Sequence, residues 1–131
     1  MSTPQPAASV LEEIPGPSDR NIAVRAVPGA ERALREGHPW LFAGSIREQS
    51  REAAAGDLAV VFDRKGRFLA VGLYDPDSSI RVRILVHGEP APIEREWFTD
   101  QLRAAAARRA PLRDRPPTAR TTGYRLVHGE N

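Results

Sequence analysis

Gly56-Asp57-Leu58-Ala59-Val60-Val61-Phe62 runs into Asp63-Arg64-Lys65-Gly66, and Arg67-Phe68-Leu69-Ala70-Val71-Gly72-Leu73-Tyr74 leads back out. Two apolar runs of strand length flank a polar tetrapeptide, and Gly66 supplies the positive φ that a tight hairpin requires. The stretch therefore reads as a β-hairpin, entered through the Gly56-Asp57 turn. Downstream, Asp75-Pro76-Asp77-Ser78 marks a second turn. Ile80 to Leu85 then alternates, with Ile80, Val82 and Ile84 on one face and Arg81 and Arg83 on the other.

Upstream, Ile22-Ala23-Val24-Arg25-Ala26-Val27 has the period of a half-buried strand, which Pro28-Gly29 interrupts. Ala30 to Glu36 reads as a short helix closed by Gly37, with Arg32 and Arg35 in its last turns facing the negative end of the helix dipole. His38-Pro39 starts an extended segment, because a residue before proline is pushed out of the helical region. Trp40-Leu41-Phe42 has the composition of a short core strand leading to Ser45-Ile46. Several short strands separated by turns, with one small helix among them, predict a β-rich mixed α+β fold of pseudo-barrel type.

The flanks read differently. Pro4, Pro6, Pro15 and Pro17 punctuate residues 1–20, a composition that cannot bury enough apolar surface to offset its ordering entropy, so a disordered tail is expected. Beyond His87-Gly88 the period lengthens. Ile93, Trp97, Leu102 and Ala105 share one side of a helix predicted from about Glu94 to Ala110, with Pro111 as its stop. Residues 89–122 thus form a connecting helix and an Arg- and Pro-rich linker. Tyr124-Arg125-Leu126-Val127 reads as the first strand of another unit, residues 123–131. A strand without a neighbour is not stable alone, so the chain is expected to break off inside a second domain.

A chain of 131 residues has room for one domain and part of another. No apolar run approaches the roughly 20 residues that cross a bilayer, which excludes a helical membrane span. Met1 to Arg20 lacks a basic segment followed by an apolar one, so no signal peptide is read and a cytoplasmic location is expected. The absence of cysteine excludes disulfides, thiolate metal sites and a cysteine nucleophile within these residues. Charge divides unevenly: residues 1–63 carry more carboxylates than arginines, and residues 64–131 more cations than carboxylates. All but one of the 19 basic residues are arginine, the exception being Lys65. A planar guanidinium grips phosphate bidentately, although a GC-rich genome produces the same bias without a polyanion partner.

Four segments in this order carry a resemblance. Arg35-Glu36-Gly37-His38-Pro39-Trp40-Leu41-Phe42-Ala43-Gly44 is similar to the opening motif of the N-terminal PUA domain of class I SAM-dependent rRNA methyltransferases, in the bacterial large-subunit cytosine-C5 group. Gly56-Asp57-Leu58 with Gly66 to Tyr74 resembles the central hairpin of that domain, and Asp75 to Arg83 its next turn and strand, where the family more often begins with Asn. Tyr124 to Glu130 resembles the opening of the family's central domain. The resemblance implies a PUA barrel for residues 21–88, and a catalytic domain outside the chain that would bind S-adenosyl-L-methionine. The family's chemistry needs a cysteine thiolate, which these residues lack, so no cofactor and no methyl transfer are expected of them alone.

By the same resemblance the expected partner is structured rRNA, met by the small helix and the adjoining strands. The candidate contact residues are Arg32, Arg35, Gly37, His38 and Trp40, with Lys65, Arg81 and Arg83 as a second basic group. Helix-end arginines reach phosphates, and a histidine can donate to a phosphate or a 2′-hydroxyl. Each also has a structural alternative. Trp40 would anchor a core or a neighbouring domain, His38 would bond its own loop, and Arg81 and Arg83 would line a solvated strand face. Asp57, Asp63 and Asp75 fall in turns, where short carboxylates cap backbone amides, and His38, His87 and His128 have no ligand spacing. A structural docking module forms the competing reading. There the barrel would pack on the missing catalytic domain or on a second copy in a homodimer, and Trp40, Trp97 and Phe98 would form an exposed apolar patch.

Overall fold

The computed structural model describes residues 18–119 and 123–128. Most of the expected tail, the end of the linker and the last three residues lie outside them. The elements in chain order are β1 (Asn21–Ala26), α1 (Pro28–Arg35), β2 (Trp40–Phe42), a 3-10 turn (Ala43–Ser45), β3 (Ile46–Gln49), β4 (Leu58–Phe62), β5 (Phe68–Tyr74), β6 (Ile80–His87) and α2 (Arg95–Arg113). The strands form one six-stranded sheet in the order β2-β6-β5-β4-β1-β3. β1 and β4 run parallel and every other neighbouring pair is antiparallel.

β2 and β3 occupy opposite edges of this sheet, yet only Ala43–Ser45 separate them in the chain. Six flat strands would hold their edges roughly 24 Å apart, at about 4.8 Å per step. From Phe42 to Ile46 the chain reaches at most about 15 Å. The sheet must therefore curl until its edges meet, which makes it a pseudo-barrel. Two hydrogen bonds hold the ends of this link to the strands beside it: Ala43 N–H donates to the carbonyl of Ser79 (2.9 Å), continuing the β2–β6 pairing, and Val27 N–H donates to that of Ser45 (3.0 Å), continuing the β1–β3 pairing.

Alternation fills the interior. Ile22, Val24 and Ala26 from β1 meet Leu41, Ala59, Val61, Leu69, Ala70, Tyr74 and Val82, with Leu34 of α1 closing one end. The outer faces of β4 and β5 are covered too, since Leu58 and Val71 pack with Ile93, and Trp97 and Phe98 lie against them. Burial on both faces explains why β4 reads as an unbroken apolar run. Opposite β4, Val61 pairs with Ala70 and Phe62 with Phe68, so Leu69 is an extra residue and both Leu69 and Ala70 turn inward. Curvature also crowds Gly72, where a Cβ would collide with the carbonyl oxygen of Arg83 and stand 2.9 Å from Ile84 Cα.

The short helix starts at Pro28 rather than Ala30, because the fixed φ of proline suits a first helical position. It ends as read: Gly37 has φ +90°, its N–H reaches Leu34 O at 3.1 Å, and His38 N–H reaches Ala33 O at 3.0 Å. The long helix runs past Pro111 to Arg113, since a proline in the final turn removes one amide without stopping the coil. It seats through Trp97, Phe98 and Ala105, while Leu102 is exposed, contrary to the expected stripe. At 100° per residue Leu102 lies about 140° around the helix from Trp97. Residues 123–128 form no strand, and Leu126 and Val127 are exposed. They have no strand beside them, and pairing is what a strand needs.

α1 is fastened to the β4–β5 hairpin by two buried carboxylates. Asp63 Oδ1 accepts the amides of Lys65 (2.8 Å) and Arg67 (2.9 Å), and Oδ2 accepts Arg35 Nη2 (2.7 Å) and Arg67 Nε (2.8 Å). Glu31 accepts the Arg64 amide at 2.8 Å and lies 3.7 Å from Arg35 Nη1. Burial would raise the Asp63 pKa, but the Arg67 backbone and side-chain bonds, the Lys65 amide and the Arg67 charge outweigh it and bring the value to about 2. Asp57 shifts in the same direction, held by the Ser18 hydroxyl at 2.8 Å and the Ala54 amide at 3.1 Å.

Two outcomes follow. Gly72→Ala is expected to lower stability by about 3 kcal/mol, the upper range for overpacking, read as a fall in the urea midpoint. Gly44→Ala, whose Cβ would meet nothing within 4 Å, stays close to the parent. Because Asp63 has a lower pKa folded than the ordinary 3.8 of an aspartate in water, the unfolded chain binds more protons between pH 4 and about 2. Stability from this carboxylate is complete above that window and drains away as pH falls through it. Thermal midpoints across the window should show Asp63→Asn with a shallower acid dependence than the parent.

Candidate functional site

The eight candidate residues fall into two groups, and the grouping differs from the one expected. Lys65 sits at the tip of the β4–β5 hairpin, and the Asp63–Arg35 and Glu31–Arg64 contacts bring that tip against α1. Lys65 therefore belongs with Arg32 and Arg35, not with Arg81 and Arg83. Arg64 and Arg67 join the same end of the barrel, and neither was singled out from the sequence. The signal was present, since Asp63-Arg64-Lys65-Gly66-Arg67 puts three cations in one turn.

These cations are not equivalent. Arg35 bonds buried Asp63 and faces Glu31, and Arg67 shares the same Asp63 oxygen, so both position the hairpin. Among the described residues Arg32 pairs only with Glu36, at 3.1 Å, with the two side chains 84% and 66% exposed. An exposed pair of this kind holds weakly and yields to a stronger anion. The Lys65 ammonium is exposed and has no carboxylate partner among the described residues. Water reaches Arg32 and Lys65 first, and they are the two cations here most available to an incoming phosphate.

The second group lies on β2 and β6. Trp40 stands opposite Arg83 in the register, and Arg81 is the extra residue where β6 faces Leu41 and Phe42. His38, Trp40 and Phe42 make a triangle of rings with centroids 6.1–6.2 Å apart, the His38–Trp40 and Trp40–Phe42 pairs meeting edge to face. Phe42, read as a core residue, is 43% exposed. Leu41 alone of that triplet enters the barrel, as strand alternation demands. Gly37 serves the helix end: open space surrounds the position of its absent Cβ, so its φ rather than close approach requires glycine there.

His38 does bond its own loop, its Nδ1 lying 3.2 Å from Trp40 N and 3.0 Å from Trp40 O. His87 Nε2, 2.8 Å from the carbonyl of His38, must be the protonated nitrogen, because a carbonyl only accepts. The turn carboxylates behave as read, Asp57, Asp63 and Asp75 accepting the amides of Ala54, Lys65 and Asp77. Among the described residues no cluster of metal-ligating side chains occurs, and no helix is long and apolar enough to cross a membrane. Trp97 and Phe98 are partly buried on the chain's own sheet. The apolar patch that the docking-module reading required is thus largely covered from within.

Comparison with known proteins places this geometry. Residues 24–87 match the PUA-like domain family, a span that runs from within β1 to the end of β6. The chain is 47% identical over 119 residues to a ribosomal RNA large subunit methyltransferase of Deinococcus radiodurans, covering 89% of this chain and 29% of that protein. It is 36% identical over 110 residues to the ribosomal RNA large subunit methyltransferase I of Photobacterium profundum, covering 83% and 27%. The counterpart in Aliivibrio fischeri is 31% identical over 110 residues, covering 84% and 27%. The chain thus spans under a third of the length of the curated relatives it matches. A curled six-stranded sheet with α1 packed on it, matched from Val24 to His87, makes residues 24–87 a member of the PUA-like domain family, on a chain homologous to the rRNA large-subunit methyltransferases.

Proposed function

We propose that this chain is the N-terminal, RNA-binding portion of a SAM-dependent rRNA cytosine-C5 methyltransferase, acting in the cytoplasm. It supplies affinity for structured rRNA, while S-adenosyl-L-methionine and the chemistry belong to polypeptide outside these residues. The observation that carries the reading is the cation cluster joining α1 to the hairpin tip. Arg35, Arg64, Lys65 and Arg67 meet there, with Arg32 exposed on the same helix, and of the carboxylates among them Asp63 and Glu31 are buried while Glu36 stands exposed beside Arg32. A surface whose most tightly held carboxylates are underneath and whose cations face water attracts phosphate. The family membership and the names of the relatives support rRNA as the polyanion.

The described residues offer no group suited to methyl transfer. They contain no thiol to add to a pyrimidine, and neither passage from strand to helix carries the glycine-rich loop that cradles a nucleotide cofactor.

The test is anisotropy of a labelled large-subunit rRNA fragment, titrated at several salt concentrations. The logarithm of affinity is expected to fall linearly with that of salt, each phosphate contact contributing about 0.7–0.9 to the slope. Lys65→Ala should lower the slope by a little under one while leaving the thermal midpoint alone. Affinity that does not respond to salt would overturn a phosphate-led contact.

A further inference from the structure

The outer face of the sheet carries an apolar groove of about 300 Å³, lined by Leu58, Val60, Phe62, Phe68 and Val71 and by residues 90–93. α2 covers the neighbouring part of this face through Trp97 and Phe98, and neither ring lines the groove. Val60, Phe62 and Phe68 stay half-buried. Among the described residues no carboxylate lines the groove, whereas Arg64, Lys65 and Arg67 stand at the hairpin tip just beyond Phe62 and Phe68.

The chain enters the fold at the other end of this groove. The Ser18 hydroxyl donates to Asp57 at 2.8 Å, the Leu58 amide donates to the carbonyl of Arg20 at 3.2 Å, and Asn21 itself lines the groove. Residues 1–17 precede that point. Apart from Met1, their large apolar side chains are Val10, Leu11 and Ile14. That spacing puts all three on one side of a helical turn and Glu12 and Glu13 on the other. The reach fits as well. Pro15 and Pro17 favour extended backbone at about 3.1 Å per residue, so Ile14 can stand roughly 12 Å from Ser18. The groove follows β4 from Leu58 to Phe62, about 13 Å at 3.3 Å per residue. Residues 1–20 cannot build a core of their own, and a surface already formed removes that requirement.

We propose that Val10, Leu11 and Ile14 of the same chain dock into this groove, with Glu12 and Glu13 turned outward. Because the tether starts at the Leu58 end, both glutamates arrive at the end that carries the hairpin cations, a complementary pairing. The tether also supplies an effective concentration on the order of millimolar, so a contact too weak to hold a free peptide is populated here. The outer face is then covered by α2 on one side and by residues 10–14 on the other. No phosphate contact enters this inference, so it stands apart from the RNA reading.

The chain contains no cysteine, so Ser9→Cys creates a unique attachment point for a nitroxide, beside the docking residues and outside them. In amide spectra of the full labelled chain, the signals of Phe62 and Phe68 are expected to lose most of their intensity. Those of Phe42 and Ser79, on the β2–β6 side of the sheet, should keep theirs. Leu11→Asp combined with Ile14→Asp should return the lost intensity, while an otherwise unchanged spectrum shows that the fold is intact. Mixing isotope-enriched chain without the label and labelled chain without enrichment separates the occupants. Undiminished signals in that mixture support docking within one chain, whereas broadening at Phe62 and Phe68 assigns the groove to a second copy and overturns the proposal. Full intensity at both residues in the labelled chain, or broadening that survives the double substitution, overturns it equally.

Discussion

The rest of the molecule depends on a length mismatch: three residues must connect two strands at opposite edges of a six-stranded sheet. That link cannot be satisfied by a flat sheet, so closure is a matter of chain geometry before any side chain is considered. Curvature then sets local demands. It needs irregular pairing at Leu69, at Arg81 and near Leu85, and a residue without a side chain at Gly72, where neighbouring backbone comes too close for a Cβ. It also brings the start of α1 beside β2. The candidate surfaces are by-products of closing the sheet.

Closure places α1, and charge fixes it. A carboxylate as buried as Asp63 persists in ionised form only because two backbone amides and two guanidinium groups replace its water. Two consequences follow for charge counting. Arg35 and Arg67, which look like surface cations in the sequence, are tied to an internal anion and mainly set the pose of the hairpin. Their attachment turns the tip outward, so that Lys65 meets solvent. The same interaction that removes two arginines from the inventory of available charge presents the lysine that remains in it.

Much of the fold was legible in advance, and the reason is local. The hairpin at 58–74, the alternation of Ile22, Val24 and Ala26, and the glycine closing α1 are all decided by residues near one another in the chain. What escaped depends on partners far away in sequence. Lys65 was grouped with Arg81 and Arg83 because hairpin-to-helix docking runs through Glu31 and Asp63, whose burial no local pattern announces. Phe42 was read as core because three apolar residues in a row hide which of them alternation sends outward. Leu102 was placed on the buried stripe by spacing, yet the angle at which α2 sits on the sheet leaves it in water. Tyr124 to Val127 has strand composition and no neighbour to pair with, so composition alone did not decide its state.

The two surfaces also differ in what their energetics can accomplish. Contacts between cations and phosphates are long-ranged and indifferent to sequence, and they weaken in salt. Such contacts draw a polyanion in without choosing where it is held. A group of rings such as His38, Trp40 and Phe42 acts only at contact, and its strength depends little on ionic strength. A domain with only the first property would spread over any duplex, and one with only the second would find its target slowly. Both sit on α1 and its immediate neighbours, with Arg32 near the end of the helix and Ala30 and Ala33 on the side toward β2. One short helix, fixed by Asp63 and ended at Gly37, therefore sets the relative placement of the cations and the rings. Loosening that helix would disturb the rings more than the attraction, because a charge tolerates a displacement of an ångström far better than a packed ring does.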